Sequence, residues 1–498
     1  MKILTAVLGA SVIVVAGCSA PPTATSGTLR VGIVSLAQSD TLDPAAATTA
    51  GGYAIAAQLY DTLTEYGPDG KLRPRLAESV EPGKTADEWT VRLRDASWQN
   101  GDPVTAKDVV ATIQRWFDQK LPPTTLVPFI DPAKIDVPDQ HTLVFHLKYP
   151  TTTFSDAFTS PTAAIVPAGF DPKHPVGSGP YALDDFDPGV RVTFKADEHY
   201  WNGAPHSKAL EFVSFADGSS EVNALLGKQI DVASQVDPAL VSTVKADQSL
   251  QVSSFPSSGT LTWVMNVQQK PFDDPVVRQA FRLAVDRQQL IDQVYDGYAT
   301  LGNDYFSPFD PLYDHDLPQR TYDPNRAKAV LQAAGYTAPV TVQLVGTDNR
   351  PTSERQNQLL IQQAAAAGFD VQFKQVDQAT FYGDAYGTYP LSLSYWGFLD
   401  IFDQAAETIT KDAPYNSSHW TDPQYDKLFD QAVQTIDEPA RADLVHRMQK
   451  IEYDSGAYVV PVFLDSVTAH TANVEGFEAY PNTDGPNGYH FDTLTDKG

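Results

Sequence analysis

The chain has 498 residues, 42% hydrophobic and 19% charged, a globular composition too long for one hydrophobic core, so two or three domains are expected. A formal net charge of −27 argues against nucleic-acid binding, because phosphate contacts need Lys and Arg in excess. The single cysteine excludes an intrachain disulfide.

Met1-Lys2 is a short positive start, and Ile3 to Val15 is an apolar run too short to span a bilayer comfortably. It ends in Val15-Ala16-Gly17-Cys18, small residues before a cysteine, as in a lipoprotein signal whose Cys18 is acylated. The competing reading is a plain secretory signal with an incidental cysteine. Residues 1–18 are therefore expected to be a signal and 19–27 a Pro/Thr/Ser/Ala tether, holding the protein outside the cytoplasm on its lipid.

Thr28 to Val34 alternates as a strand, Leu42-Asp43-Pro44 turns, and Tyr53 to Thr62 has a helical apolar face. Glu88 to Arg94 is a period-two strand, Asn100-Gly101 a turn, and Thr105 caps a helix whose Val109, Ile113, Trp116 and Phe117 form one stripe. His141 to Leu147 is a further strand. Gly177-Ser178-Gly179-Pro180-Tyr181 fixes an unusual backbone path, but no GxGxxG or long helix follows to cradle a phosphate. Strands Val190–Lys195 and Leu210–Phe215, a helix from Ser220 and the segment Ile230–Ala233 lead to Leu261–Val267, an apolar run that reads as a buried strand.

Gln268 to Asp273 is polar and carries a proline, and Asp274-Pro275 then starts a helix with Val277, Phe281, Ala284 and Val285 on one face. A crossing from one lobe to another is expected here, near Asn266. Beyond it, Asp323-Pro324 opens a helix that stops at Gly335. Val340–Val345, a helix capped by Thr352 or Ser353, and Asp370–Gln375 read as a βαβ unit with parallel strands. Such folds place ligands at the carboxyl ends of their strands, where Arg350 lies. Asp422-Pro423 and Glu438-Pro439 start two more helices, and Tyr458–Leu464 is a strand returning toward the first lobe.

Together these landmarks resemble the family-five extracellular solute-binding proteins, the peptide/nickel-binding components of ABC importers. The similarity is carried by Trp89 to Arg94 with Trp98, Asn100-Gly101, Pro103, Thr105 and Asp108-Val109, then by Gly177 to Tyr181, Tyr200-Trp201 and Asn266. Pro271 to Asp274, Arg278-Gln279-Ala280, Asp286-Arg287, Asp323-Pro324 and Asn416 to Asp426 continue it in the family's order. The resemblance implies an α/β, two-lobed periplasmic-binding-protein-like fold (type II, three-domain class) with an extra subdomain on lobe one. Lobe one would span residues 28–50, 176–268 and 465–498, the subdomain 51–175 and lobe two 269–464. It also implies a monomer without cofactor or catalytic role. Such a protein captures a short peptide or another small molecule and docks on an ABC permease driven by ATPase subunits. A nickel chelate, an opine or an oligosaccharide is the alternative cargo.

Family peptide binders meet the ligand's α-amino group with an acidic residue after a Trp-rich strand. The matching stretch is Leu391 to Asp403, with Tyr395 and Trp396 on the strand and Asp400 and Asp403 after it. A carboxylate in a closing cleft gives a charge-assisted bond strengthened by water exclusion, and Trp396 would supply an apolar or cation–π wall. The family form Trp-Gly-x-Asp-Tyr-Pro-Asp-Pro is not met, since an extra residue precedes Asp400 and Ile401-Phe402-Asp403 replaces the Pro-Asp-Pro. The opposing reading makes both acids loop or cap residues. Arg350 is the candidate for a peptide carboxylate, and Trp263 and Tyr181 are candidates for the lobe-one wall or for packed core. No GxSxG, HExxH or Walker loop occurs, the ten histidines are scattered, and no metal site is expected. A cell-wall hydrolase is the remote alternative.

Overall fold

The computed structural model describes residues 27–337, 339–347, 351–483 and 485–497, with the side chain of Pro351 left out. The signal, the tether, Cys18 and Arg350 lie outside the described residues.

The first sheet runs Leu250–Pro256, Val462–Thr471, Val232–Ala233, Thr28–Val34, Ala209–Phe215, Arg191–Ala196, Tyr181–Asp187. Its middle strand Thr28–Val34 is parallel to both neighbours. Leu29, Val31 and Ile33 point into the core, while Gly32 on the opposite face leaves room for Glu221, whose Cγ would lie 2.7 Å from an added Cβ. The second sheet runs Phe369–Gln375, Val340–Gly346, Leu391–Trp396, Thr260–Met265, Tyr458–Val459. Val340–Gly346 is parallel to Phe369–Gln375, joined by helix Pro351–Ala366, as the βαβ reading required.

A third unit is a four-stranded antiparallel sheet, Ala77–Pro82, Glu88–Leu93, Thr142–His146, Ile135–Asp139, beside helix Ala106–Gln119. Thr105 and Asp108 form that helix's capping box. Its apolar stripe buries Val109, Ile113 and Trp116 in one core with Trp89, Phe145, Phe154 and Phe158.

Two antiparallel strands tie the two large sheets together. Leu250–Pro256 pairs with Val462–Thr471 in the first sheet, and the same chain passes through Ser257-Ser258-Gly259 to Thr260–Met265 in the second. Across the passage, Ser257 donates to the Leu464 carbonyl through its amide (3.2 Å) and hydroxyl (2.7 Å), and the Leu464 amide donates to the Gly259 carbonyl at 2.7 Å. The crossing thus falls at Ser257–Gly259 rather than near Asn266. The polar break at Gln268–Asp273 marks the strand's exit into helix Pro275–Leu283, and Phe272 and Phe281 meet edge-to-face in the same core.

Two other expected boundaries shift. Helix Ala50–Leu59, placed by the sequence at the start of the subdomain, packs its Ala54, Ile55 and Leu59 on the first sheet's core. Ala299–Leu301, expected in lobe two, pairs with the first-sheet strand Val462–Thr471.

Candidate functional site

A cavity of about 330 Å³ lies where the two lobes and the third unit meet. Helix Ala50–Leu59 brings Tyr53 and Tyr60 to it, and the hairpin Thr64–Tyr66/Leu72–Pro74 brings Glu65, Tyr66 and Arg75. Gly177 and Gly179 let the chain lie against the end of that helix, since added Cβ atoms would sit 1.6 Å from the Leu59 carbonyl oxygen and 2.5 Å from that of Gln58. This close approach is the reason for the two glycines of Gly177-Ser178-Gly179.

The second lobe closes the cavity with Phe398, Leu399, Asp400 and Asp403. Strand Leu391–Trp396 ends one turn before helix Ile401–Thr408, and Asp400 is that helix's N-cap. Its Oδ1 accepts from the amides of Phe402 (2.8 Å) and Asp403 (3.0 Å). Asp310 braces the same turn, accepting from the amides of Ile401 (3.2 Å) and Leu312 (2.8 Å). From across the cleft, Tyr66 stacks its ring edge on Phe398 at 5.0 Å and donates its hydroxyl to Asp156 at 2.7 Å.

The charges where Asp156 faces Asp400 and Asp403 across the cleft are unbalanced. Burial, reinforced by Asp400, lifts Asp156 to about 8 and Asp310 to about 6. Burial also raises Asp400 despite its helix amides, and burial plus Asp400 pushes Asp403 well above the carboxylate range. The charges around Arg75 are compensated. Arg75 pairs with Asp61 and Glu65 at 2.7 Å each, and Trp201 donates to Asp61 at 2.9 Å. Burial would raise Glu65, but the Arg75 guanidinium holds it below its usual range. His490, stacked on Tyr480 at 4.8 Å, is pushed down to about 4 by burial and by Arg75, so its ring is neutral near pH 7.

The lobes also touch directly. The Thr152 amide donates to the Val433 carbonyl at 2.7 Å, and Asn482 Nδ2 donates to the carbonyls of Gly70 (2.8 Å) and Phe309 (3.2 Å). Thr352 Oγ1 lies 3.3 Å from Asp237 Oδ2.

Asp400 and Asp403 therefore line the cavity, and Asp400 is a helix cap as well. Trp396 does not line it; its ring stands edge-on to Tyr415 at 6.5 Å and its buried indole nitrogen has no hydrogen-bond partner among the described residues. Tyr395 is 40% exposed and its hydroxyl sits beside Gly259 at the crossing. Trp263 and Tyr181 are core rather than wall. Both are fully buried, the Trp263 indole donating to Asn357 Oδ1 (3.1 Å) and the Tyr181 hydroxyl to the Ser207 carbonyl (3.4 Å). Sequence reasoning missed Tyr66, Glu65, Arg75, Asp156 and His490, which come from four separate stretches with no motif among them. Among the described residues, no group of three or more His, Cys, Asp and Glu is placed to hold a metal.

Two α/β lobes strung on a double strand, with a ligand-sized cavity between them, make a solute-binding fold. Residues 71–411 match the family model for bacterial extracellular solute-binding proteins, family 5 Middle, and the chain belongs to that family of ABC-importer components. The glutathione-binding protein GsiB of Escherichia coli K12 is 27% identical over 464 residues, covering 89% of this chain and 90% of GsiB. In fold, the ABC transporter substrate-binding protein CtaP of Listeria monocytogenes is similar with a TM-score of 0.82 at 22% identity, covering 95% of this chain and 99% of CtaP. The periplasmic binding protein DppA of Helicobacter pylori, solved with the peptide STSA, is similar at 0.76 and 20% identity, covering 95% of this chain and 98% of DppA.

Proposed function

We propose that this protein captures a short peptide in the interlobe cavity and hands it to an ABC permease, working outside the cytoplasm as a monomer anchored through lipid on Cys18. The observation that carries the peptide reading is the Asp400–Asp403 pair. It sits in a closing cleft at a helix start and lacks a basic partner among the described residues. An α-ammonium group there gains charge-assisted bonds in a site from which water is excluded. The cavity is at the small end of the ~300–1,000 Å³ typical of ligand pockets, which suits a peptide of about two or three residues. A ligand touching Asp400 on one lobe and Tyr66 on the other is gripped only when the lobes are shut, so it shifts the population to the closed form.

Calorimetric titration with di- to pentapeptides tests this. Binding is expected for the shorter members, and Asp400→Asn, which preserves the cap, is expected to weaken it by about 10- to 100-fold. Silence across the peptides, with binding of an opine, a nickel chelate or an oligosaccharide, would transfer the site to that cargo.

A further inference from the structure

Four carboxyl groups line the cavity, those of Glu65, Asp156, Asp400 and Asp403, against one arginine, Arg75. That arginine is committed at 2.7 Å to both Asp61 and Glu65. Its neighbour His490 is neutral near pH 7. Asp156, on the Tyr66 side of the cleft, and Asp400 and Asp403, on the second lobe facing it, have no Lys, Arg or His partner among the described residues, and Asp310 adds another carboxyl behind Asp400. Tyr66 and the helix amides satisfy some oxygens without supplying a positive charge. Asp400 is only 6% exposed, and with no cation nearby burial raises these acids, Asp156 to about 8, so that protons stand where a cationic ligand would supply charge.

A peptide with neutral side chains brings one ammonium and one carboxylate. Its ammonium would meet one of these acids, while its carboxylate would find no uncommitted cation among the described lining residues. Resting on the assignment of this cavity as the ligand site, we propose that the cargo carries two cationic groups. One is an ammonium for the Asp400–Asp403 pair, and the other is an ammonium or guanidinium for Asp156. Basic peptides and diamines share that chemistry. Acidic peptides are refused, including glutathione, for which the relative GsiB is named.

Calorimetry of the full chain with lysyl-alanine, alanyl-alanine, glutamyl-alanine, glutathione and diaminobutane tests the proposal. Lysyl-alanine is expected to bind at least about 10-fold tighter than alanyl-alanine, and glutamyl-alanine and glutathione weaker still. In Asp156→Asn, which keeps the side-chain size, the basic-over-neutral preference is expected to shrink by about 10-fold. Binding of the basic ligands at pH 7 is expected to release protons, seen by comparing buffers of different ionisation enthalpy. This second readout applies to the unmutated protein.

Equal or tighter binding of the neutral or acidic peptides, weakened by Asp400→Asn, would overturn the charge preference and leave the cavity as the ligand site. A basic preference untouched by Asp156→Asn, or binding without proton release, would also overturn it. Silence of every probe would remove the site assignment and the preference with it. Binding of lysyl-alanine without diaminobutane identifies a basic peptide; binding of both identifies the pair of cations itself.

Discussion

Two buried clusters of charge in this molecule answer the same problem in opposite ways. In the second lobe, Asp304 is fully buried with Arg287 and Arg320 at 2.6 Å each and Arg282 at 3.7 Å. Burial alone would raise its carboxyl, but the three guanidiniums hold it below the usual range. The surplus positive charge is spread over backbone carbonyls, Arg282 donating to those of Glu452, Tyr453 and Tyr458. At the cleft, Asp156, Asp310, Asp400 and Asp403 crowd together with amides and a phenol for company, and empty volume lies against them. A buried charge that is fully answered by its own chain does structural work. A buried acid beside a cavity that lacks a cation holds a proton instead, and marks where a cationic ligand can displace it.

The sharpest way to break this contrast is to remove Asp304. Asp304→Ala leaves three buried guanidiniums without their carboxylate and is expected to cost about 3–5 kcal/mol, read as a large fall in the urea midpoint. Little change there would mean that the arginines are served by carbonyls alone.

The pH dependence of the ligand-free protein comes next. Burial first lifts Asp156 to about 8 and Asp310 to about 6, and likewise Glu221 and Glu452 to about 8 each. Each group holds its proton more tightly folded than unfolded. Its stabilisation is complete below the ordinary carboxylate range and is lost as pH rises through about 6 to 8. The melting temperature is therefore expected to be a few degrees lower at about pH 8 than at about pH 5. Asp304 acts in the other sense, its contribution disappearing only on acidification below the ordinary carboxylate range. A midpoint flat or rising between the two pH values would show that these buried acids do not hold their protons in the empty protein.

The smallest effect is a null one on binding. Tyr181→Phe removes one buried hydrogen bond and is expected to cost about 1 kcal/mol of stability while leaving peptide affinity unchanged. A fall in affinity would return Tyr181 to the cleft wall.

Much of the scaffold was legible because it is written locally. Asp-Pro pairs cap helices at Asp274, Asp323 and Asp422, and apolar alternation marks Glu88–Leu93. The candidate acids Asp400 and Asp403 were singled out through the family resemblance, which places an acid after the Trp-bearing strand Leu391–Trp396. Their partners were not. Asp156 stands in a threonine-rich loop, and Arg75 and His490 are over 400 residues apart in sequence yet share a wall. Only packing brings them together. Trp263 was ambiguous for a related reason. Strand Thr260–Met265 is buried on both faces, so nothing in its pattern shows which side meets a cavity and which meets Asn357.

The double-stranded passage at Ser257–Gly259 also sets an order of construction. Val462–Thr471 lies between Leu250–Pro256 and Val232–Ala233, so a strand made after all those of the second sheet completes a sheet begun at Thr28. Until it emerges, the sheet remains open at that gap, although the second lobe's strands through Tyr458–Val459 are already made. The amino-terminal lobe is therefore the last to become whole. A ribosome stalled before residue 462 is expected to display it protease-sensitive.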